Sequence, residues 1–226
     1  MAKMALCIYR TELESLNSIL RYPKLTGMMV GEAPAEFMRL QTTLQDRANC
    51  ETDPSLLQLL PYVVIQRVDT GDIFTYCRGK GGAEARLHGN LSIGVGGHVD
   101  TDYEQTGDAM RDAMALFTHL EDSAMRELEE EVGFVVPKNE YGEYEELPFS
   151  WTDDLIYDDT NSVGCVHLGM LIVMRIPDDS ALGNTEVGVI EGSQWLSLDH
   201  LQEPAVYDRL ENWSKIAVDF MTAKNQ

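Results

Sequence analysis

Positive charge is scarce in this sequence. Its 226 residues include 17 lysines and arginines against 38 aspartates and glutamates, so the formal net charge is −21 at pH 7. A surface of this sign repels nucleic acids and anionic membranes at long range. We therefore expect no bulk nucleic-acid partner and no membrane partner. A small anionic partner stays compatible with this charge if a metal ion neutralises its binding site.

Cysteine is also sparse, and its spacing carries no metal-binding or disulfide pattern. The four residues, Cys7, Cys50, Cys77 and Cys165, are scattered, with no CxxC pair and no histidine at zinc-ligand spacing. This pattern predicts reduced thiols and no structural zinc site.

Long apolar runs are missing as well. The longest strongly apolar stretch, at 168–174, is far too short to span a bilayer, and the short apolar run near residue 5 is too short for a signal peptide. The hydrophobic content of 44 % nevertheless allows a sizeable core. We expect a cytoplasmic protein.

The first 55 residues differ from the rest of the chain in the spacing of their apolar residues. Apolar residues at helical spacing predict helices over 12–20 and 34–48, separated by a turn at Tyr22-Pro23. The sequence therefore predicts a helical N-terminal extension at 1–55 and a main domain at 56–226.

The main domain mixes strand and helix patterns. β-rich runs predict strands at 61–68, 72–79, 91–99 and 165–176 and just before Trp195, and Asp69-Thr70-Gly71 has the composition of a hairpin turn. Helical spacing of Met110, Met114, Phe117, Ala124 and Leu128 predicts an amphipathic segment over 109–132, and a last helix is predicted at 212–224. Together these elements predict an α/β sandwich.

Three glutamates on the long helix are the main chemical feature of the sequence. Glu127, Glu130 and Glu131 stand at positions i, i+3 and i+4, so their carboxylates share one helical face. Such a face is suited to Mg²⁺ or Mn²⁺, which prefer oxygen ligands and bridge phosphate oxygens. Arg126 can fix a neighbouring carboxylate with its planar guanidinium. The alternative interpretation is a solvated acidic face without a ligand.

The order of residues around these glutamates favours the metal-site interpretation. Residues 126–134, RELEEEVGF, match the core REUxEExGU of the Nudix signature, in which U is a bulky apolar residue. Upstream, 96–100 (GGHVD) resembles the glycine-rich opening of that signature with Asp in place of Glu, whereas Thr118 stands where another glutamate is usual. The longer spacing implies an insertion around 102–111. The chain thus resembles a Nudix (MutT-type) subgroup that has a helical N-terminal extension.

This resemblance implies a Nudix α/β/α sandwich with a mixed sheet and a loop–helix–loop that holds divalent cations. It makes Glu130 and Glu131 the main ligands of Mg²⁺ or Mn²⁺, Glu127 a ligand or a base, and the carbonyl of Gly96 a further ligand. Arg126 would support the catalytic carboxylates. A distal acid often completes such sites, and the candidates are Glu186 and Glu191.

Basic residues next to a glycine-rich loop are candidates for substrate binding. We expect phosphate contacts from Arg78, Lys80, Arg86 and His98, with a solubilising hairpin loop as the alternative for the basic cluster and a hydrogen-bonded structural histidine as the alternative for His98. His88 belongs to the same basic cluster, and the remaining histidines, His119, His167 and His200, form no recognisable cluster in the sequence.

The resemblance predicts a metal-dependent pyrophosphohydrolase in which water attacks a diphosphate linkage of a nucleoside diphosphate derivative. The substrate would be a nucleoside triphosphate, a dinucleoside polyphosphate or a nucleotide sugar. Two alternatives stay open: an enzyme similar to isopentenyl-diphosphate isomerase, and a module that senses a nucleotide without turnover. The expected partner is a small phosphorylated molecule, and a homodimer is also compatible with the sequence.

Overall fold

The structure of the chain is a computed structural model that describes residues 3–15, 19–21, 41–81, 85–99, 106–135, 140–141, 149–177, 182–183 and 185–224. The chain divides into two compact units, each assembled from three segments. Unit 1 comprises Met1–Tyr62, Gly97–Ser123 and Thr152–Leu171, and unit 2 comprises Val63–Gly96, Ala124–Trp151 and Ile172–Gln226. The division between an extension at 1–55 and a main domain at 56–226 stays a prediction.

The described part of the chain contains both strands and helices. The strands are β1 (Met4–Tyr9), β2 (Ile19–Arg21), β3 (Thr42–Asp46), β4 (Leu56–Arg67), β5 (Ile73–Arg78), β6 (Leu91–Ser92), β7 (Gly94–Val95), β8 (Phe149–Tyr157), β9 (His167–Ile176) and β10 (Ile190–Leu196). The α-helices are α1 (Arg47–Cys50), α2 (Ala109–Val132), α3 (Leu198–Leu201), α4 (Pro204–Tyr207) and α5 (Asn212–Lys224). Short 3-10 helices cover Arg10–Ser15, Ala85–Leu87 and Gly164–Val166. Among the helices in these described ranges, none has both the length and the apolarity needed to cross a membrane.

Unit 1 pairs its strands in both directions. β1 is antiparallel to β3, with Leu6 opposite Leu44, and to the beginning of β4, with Ile8 opposite Leu57. β2 is parallel to β8. The carboxylate of Asp46 accepts a hydrogen bond from the backbone N of Ala48 at 2.9 Å and so caps α1. This cap fixes the short helix that leads directly into Glu51.

The described residues of the N-terminal region do not have the predicted helical character. The predicted helix over 12–20 contains a 3-10 helix at its start and ends in β2, and the described part of the predicted helix over 34–48 is mostly β3. The apolar side chains of Ala5, Cys7, Cys50 and Leu56 form a small core under these strands. Strand pairing with β1 therefore overrides the local helical spacing.

Unit 2 contains the strands that the sequence predicts most clearly. β5 is antiparallel to β4, β6 and β10, and β7 is antiparallel to β4. The predicted hairpin turn after β4 is present, and Gly71 in it has φ 75°, a left-handed conformation that favours glycine. Parallel and antiparallel pairs thus occur in one protein together with helices, which confirms the predicted mixed α/β class.

The helix α2 has the bounds that the sequence predicts. In its second half, Ala124, Leu128 and Val132 are buried in the apolar core of unit 2, whereas Met114 in the first half is 66 % exposed and does not join a core. The helix ends at Val132 and is followed by Gly133, whose φ of 65° lets the chain turn away. The backbone N of Gly133 donates to the carbonyl of Glu129 at 3.1 Å.

Candidate active site

The last two turns of α2 separate apolar from acidic side chains. Leu128 and Val132 are fully buried and anchor the helix in unit 2, as their spacing predicts. Glu127 and Glu130 lie on the more accessible part of the helix, with side chains 13 % and 57 % exposed. Glu131 is buried, with 8 % of its surface exposed. The acidic face therefore runs from solvent into the protein.

Arg126 holds two of these carboxylates. Its Nη1 atom lies 2.7 Å from Oε1 of Glu127 and 3.3 Å from Oε2 of Glu130. These contacts offset part of the repulsion between the glutamates.

Glu131 is the most unusual group of the helix. Its Oε2 atom is buried and has no hydrogen-bond partner. The pKa of this carboxyl is raised from 4.5 to about 8, chiefly by burial; the charge of Arg78 lowers it, and the negative charges of Glu127, Glu186 and Glu211 raise it. A buried carboxylate without a partner is costly, so this position favours a proton or a cation.

A segment before β10 is hydrogen-bonded to the end of α2. The backbone N of Gly183 donates to the carbonyl of Val132 at 3.0 Å, and the backbone N of Glu186 donates to the carbonyl of Glu131 at 2.9 Å. These bonds satisfy carbonyls that the helix end leaves open. They also place the charge of Glu186 close enough to raise the pKa of Glu131. The other distal-acid candidate, Glu191, is exposed on β10 opposite Cys77.

Arg78, a predicted phosphate contact, is bound to a carboxylate that the sequence analysis did not identify. Its Nε atom donates to Oε2 of Glu211 at 2.9 Å, and Oε1 of Glu211 accepts from the hydroxyl of Ser92 at 2.7 Å. The Glu211 side chain is 4 % exposed. Arg78 therefore has a structural partner, although its charge still acts on Glu131.

The other predicted site residues of unit 2 lie near the ends of its strands. Lys80 is exposed in the turn after β5, Gly96 follows β7, and Arg86 belongs to the 3-10 helix Ala85–Leu87, although its side chain lies outside the described part of the structure.

The acidic face fits a divalent cation. In the described part of the chain, the oxygens of Glu127, Glu130 and Glu131 do not all lie within 4.8 Å of one another. The third, Glu131, keeps a buried oxygen without a partner among other carboxylates. Oxygen donors of this kind are those that Mg²⁺ and Mn²⁺ prefer. A cation here would satisfy the buried oxygen and relieve the repulsion.

His98 has partners in unit 1 that the sequence analysis did not predict. Its Nε2 atom lies 3.6 Å from Oε1 of Glu51 and 3.2 Å from Nε2 of His167. Neither Glu51 nor His167 was singled out as a site residue, because the three residues are far apart in the chain and have no common motif. His98 therefore belongs to a polar cluster with a chemistry of its own.

The chain is 37 % identical to Protein YmaB of Bacillus subtilis (strain 168) over 175 residues, which cover 77 % of this chain and 76 % of YmaB. It belongs to the YmaB family. No protein-family model matches this YmaB relative.

Solved structures show the fold of this YmaB relative. Tm1382, a candidate Nudix hydrolase, superposes with a TM-score of 0.62 at 24 % identity, and the match covers 98 % of this chain and 100 % of Tm1382. DR0079 from Deinococcus radiodurans superposes with a TM-score of 0.50 at 14 % identity, covering 81 % and 94 % of the two chains. The Nudix fold predicted from the glutamate motif is confirmed.

Proposed function

We propose that this protein is a metal-dependent pyrophosphohydrolase. It cleaves a diphosphate linkage in a nucleoside diphosphate derivative, such as a nucleoside triphosphate, a dinucleoside polyphosphate or a nucleotide sugar, by attack of water. The observation that carries the proposal is the buried, unpartnered oxygen of Glu131 among acidic side chains, on a helix that matches the Nudix signature. The confirmed fold supports the same assignment.

In this proposal Glu127, Glu130 and Glu131, together with the carbonyl of Gly96, hold Mg²⁺ or Mn²⁺. A bound divalent cation supplies the positive charge that polarises phosphoryl oxygens and stabilises the transition state. Arg126 keeps Glu127 and Glu130 in place through its contacts of 2.7 and 3.3 Å. Glu131, held at the buried end of the face, is the ligand whose oxygen most needs a cation.

A carboxylate must take the proton of the attacking water. Glu127 is a candidate, because its side chain is partly exposed and stands next to the buried Glu131 on the same face. Of the two distal acids, Glu186 is favoured over Glu191, since its charge acts on Glu131 and its backbone is bonded to the end of α2.

The substrate binds with its phosphates towards the cation and the basic residues near β5. Lys80 and Arg86 are the preferred phosphate contacts, because Arg78 is engaged by Glu211. Arg78 contributes through its charge rather than by a direct contact. His98, a further expected substrate contact, is discussed below with its partners. A cytoplasmic location and a homodimer stay predictions.

The test is hydrolysis of a nucleotide panel by protein that has been stripped of metal with EDTA. We expect no release of phosphate, pyrophosphate or nucleoside monophosphate in EDTA, and release from at least one substrate class when Mg²⁺ or Mn²⁺ is restored. A Glu130→Gln/Glu131→Gln protein purified in the same way controls for contaminating phosphatases. Full hydrolysis in excess EDTA would contradict the proposal, and binding without release would favour the sensing module.

A further inference from the structure

The side chains of Glu51, His98 and His167, all in unit 1, direct one ligand atom each towards a common point. Oε1 of Glu51 lies 3.6 Å from Nε2 of His98 and 4.0 Å from Nε2 of His167, and the two Nε2 atoms are 3.2 Å apart. In the described part of the chain, this is a group of three metal-ligating side chains whose ligand atoms all lie within 4.8 Å of one another.

The separations agree with the bond lengths of a small transition-metal ion. A point equidistant from these three atoms lies about 2.1 Å from each of them, which is a usual length for a zinc–nitrogen bond and falls within the range for zinc–oxygen bonds.

The orientation of His167 is that of a metal ligand. Its Nδ1 atom lies 2.8 Å from the carbonyl oxygen of Val163. A carbonyl can only accept, so Nδ1 carries the hydrogen and the lone pair of Nε2 faces Glu51 and His98. A backbone carbonyl on the other ring nitrogen is the usual way in which proteins orient histidine ligands. Burial lowers the pKa of His167 to about 4, so the ring is neutral at pH 7.

Glu51 is the most accessible member of the cluster. Its side chain is 28 % exposed, whereas those of His98 and His167 are 12 % and 3 % exposed. Solvent can therefore deliver an ion from the carboxylate side.

Gln58 offers a fourth donor. This side chain is fully buried, its Nε2 atom lies 3.2 Å from Nε2 of His167, and its Oε1 atom has no hydrogen-bond partner. The two ends of an amide exchange places by a half-turn of the group, which keeps its shape. After that turn Oε1 takes the position that lies 3.2 Å from Nε2 of His167, next to the cluster.

We propose that Glu51, His98 and His167, with the amide oxygen of Gln58, form a structural site for a divalent transition metal such as Zn²⁺. Two imidazole nitrogens select Zn²⁺ or a similar ion over Mg²⁺, which prefers oxygen ligands. The ligands come from three segments of unit 1, so the bound ion links these segments and stabilises the folded state. The sequence predicts no structural zinc, because its cysteines and histidines lack zinc-ligand spacing and the three residues of this cluster lie far apart in the chain.

The test measures the zinc content of protein that has been stripped of metal with a chelator and then dialysed against Zn²⁺. Excess Mg²⁺ is present during dialysis so that sites made only of oxygen ligands hold Mg²⁺. We expect about one zinc per chain in the wild type, in the Glu130→Gln/Glu131→Gln protein and in His200→Gln, a matched control whose imidazole is 48 % exposed. Glu51→Gln, His98→Asn and His167→Gln should each bind zinc at least about tenfold more weakly. Equal zinc retention by the wild type, Glu51→Gln and His98→Asn would overturn the proposal, as would a wild type that retains no zinc.

Melting temperatures separate loss of the ligand from loss of the fold. Zn²⁺ should raise the melting temperature of the wild type and of His200→Gln but not that of Glu51→Gln or His98→Asn, although all four proteins melt cooperatively in chelator. Co²⁺ provides a second readout, because bound nitrogen ligands give it visible absorption bands that His98→Asn should abolish. If Zn²⁺ raises the melting temperature of the variants as much as that of the wild type, the three residues are a hydrogen-bonded cluster and not a metal site.

Discussion

The guanidinium of Arg78 and the carboxylate of Glu211 form an ion pair with an Nε–Oε2 distance of 2.9 Å, shielded from solvent on the Glu211 side. The same carboxylate accepts from the hydroxyl of Ser92, and the backbone N of Glu211 donates to the carbonyl of Leu91 at 2.9 Å. Glu211 thus ties the beginning of α5 to β5 and β6. It also keeps the charge of Arg78 near Glu131.

Glu211→Gln should lower the free energy of unfolding by about 1.5–3 kcal/mol, the usual contribution of a hydrogen bond to a charged group. The amide keeps the shape of the side chain but no longer offers a charged acceptor to Arg78. Urea denaturation measures the effect. Glu203→Gln is the control, because Glu203 is 60 % exposed and its removal should change stability by less than about 0.5 kcal/mol. Equal stabilities of the two variants would contradict the prediction.

The metal-free protein should become less stable as the pH rises from about 5 to above 8. Glu131 has a pKa of about 8 in the folded state and 4.5 as its ordinary value. Between these values the folded state binds the proton more tightly than the unfolded state, so folding is favoured at low pH and this contribution is lost as the pH rises through 8. The effect is on the order of a few kcal/mol at most.

Denaturation in EDTA at several pH values measures this slope. Glu131→Gln should flatten it, whereas Glu129→Gln, which alters an exposed carboxylate of the same helix, should leave it unchanged. Added Mg²⁺ should also reduce the slope, since a cation replaces the proton. If the pH dependence of stability persists in Glu131→Gln, groups other than Glu131 cause it.

The sequence predicts α2 and the strands of unit 2 well, because their periodic patterns agree with the contacts that they make in the fold. Gly133 ends α2 where the apolar spacing ends, and residues such as Leu128 occupy the core that their period predicts. The N-terminal region is different. Leu44 and its neighbours are strand residues because β1 pairs with them, and no local pattern in 34–48 reveals a partner that lies near residue 6.

The glutamates of the candidate site could be predicted from the sequence because they lie within one motif on one helix. Their surroundings could not. Glu211 and Arg78 meet across much of the chain, and His98 meets Glu51 and His167 through the folding of three separate segments. Such contacts depend on tertiary packing, which spacing along the sequence does not encode. The buried state of Glu131 likewise follows from the packing of the helix end and not from its position in the motif.

Thiol reactivity should divide the four cysteines into two pairs. Cys7 and Cys50 are fully buried with their Sγ atoms 3.5 Å apart, and burial raises the pKa of both thiols. Since the thiolate is the reactive form, both should react slowly with a disulfide reagent in the native protein. Cys77 and Cys165 are partly exposed and should react first.

The measurement is the number of fast-reacting thiols before and after addition of urea. We expect the fast phase to disappear in a Cys77→Ser/Cys165→Ser protein under native conditions and all remaining thiols to react quickly when the protein is unfolded. If all four thiols of the native protein react at one rate, Cys7 and Cys50 are accessible to the reagent, and the prediction is wrong.

The final prediction compares neighbouring glutamates of α2. Glu130→Gln and Glu131→Gln each remove an anionic ligand, so the rate of hydrolysis should fall about 100-fold or more, the usual consequence of losing one electrostatic contact to a transition state. Glu129→Gln should keep nearly the full rate, because Glu129 is exposed and lies outside the metal face. Rates are measured at saturating Mg²⁺ on the best substrate of the nucleotide panel.

Glu131→Gln should change stability in the direction opposite to its effect on activity. Above pH 8 in EDTA, Glu131→Gln replaces a buried, ionised carboxylate among other carboxylates by a neutral amide, so the variant should melt at a higher temperature than the wild type even though it is inactive. Loss of activity can then not be attributed to unfolding. On the alternative interpretation of a solvated acidic face, Glu129→Gln and Glu131→Gln would have the same small effect on stability and none on rate. Identical kinetics for the two variants would therefore mean that α2 does not carry the metal site.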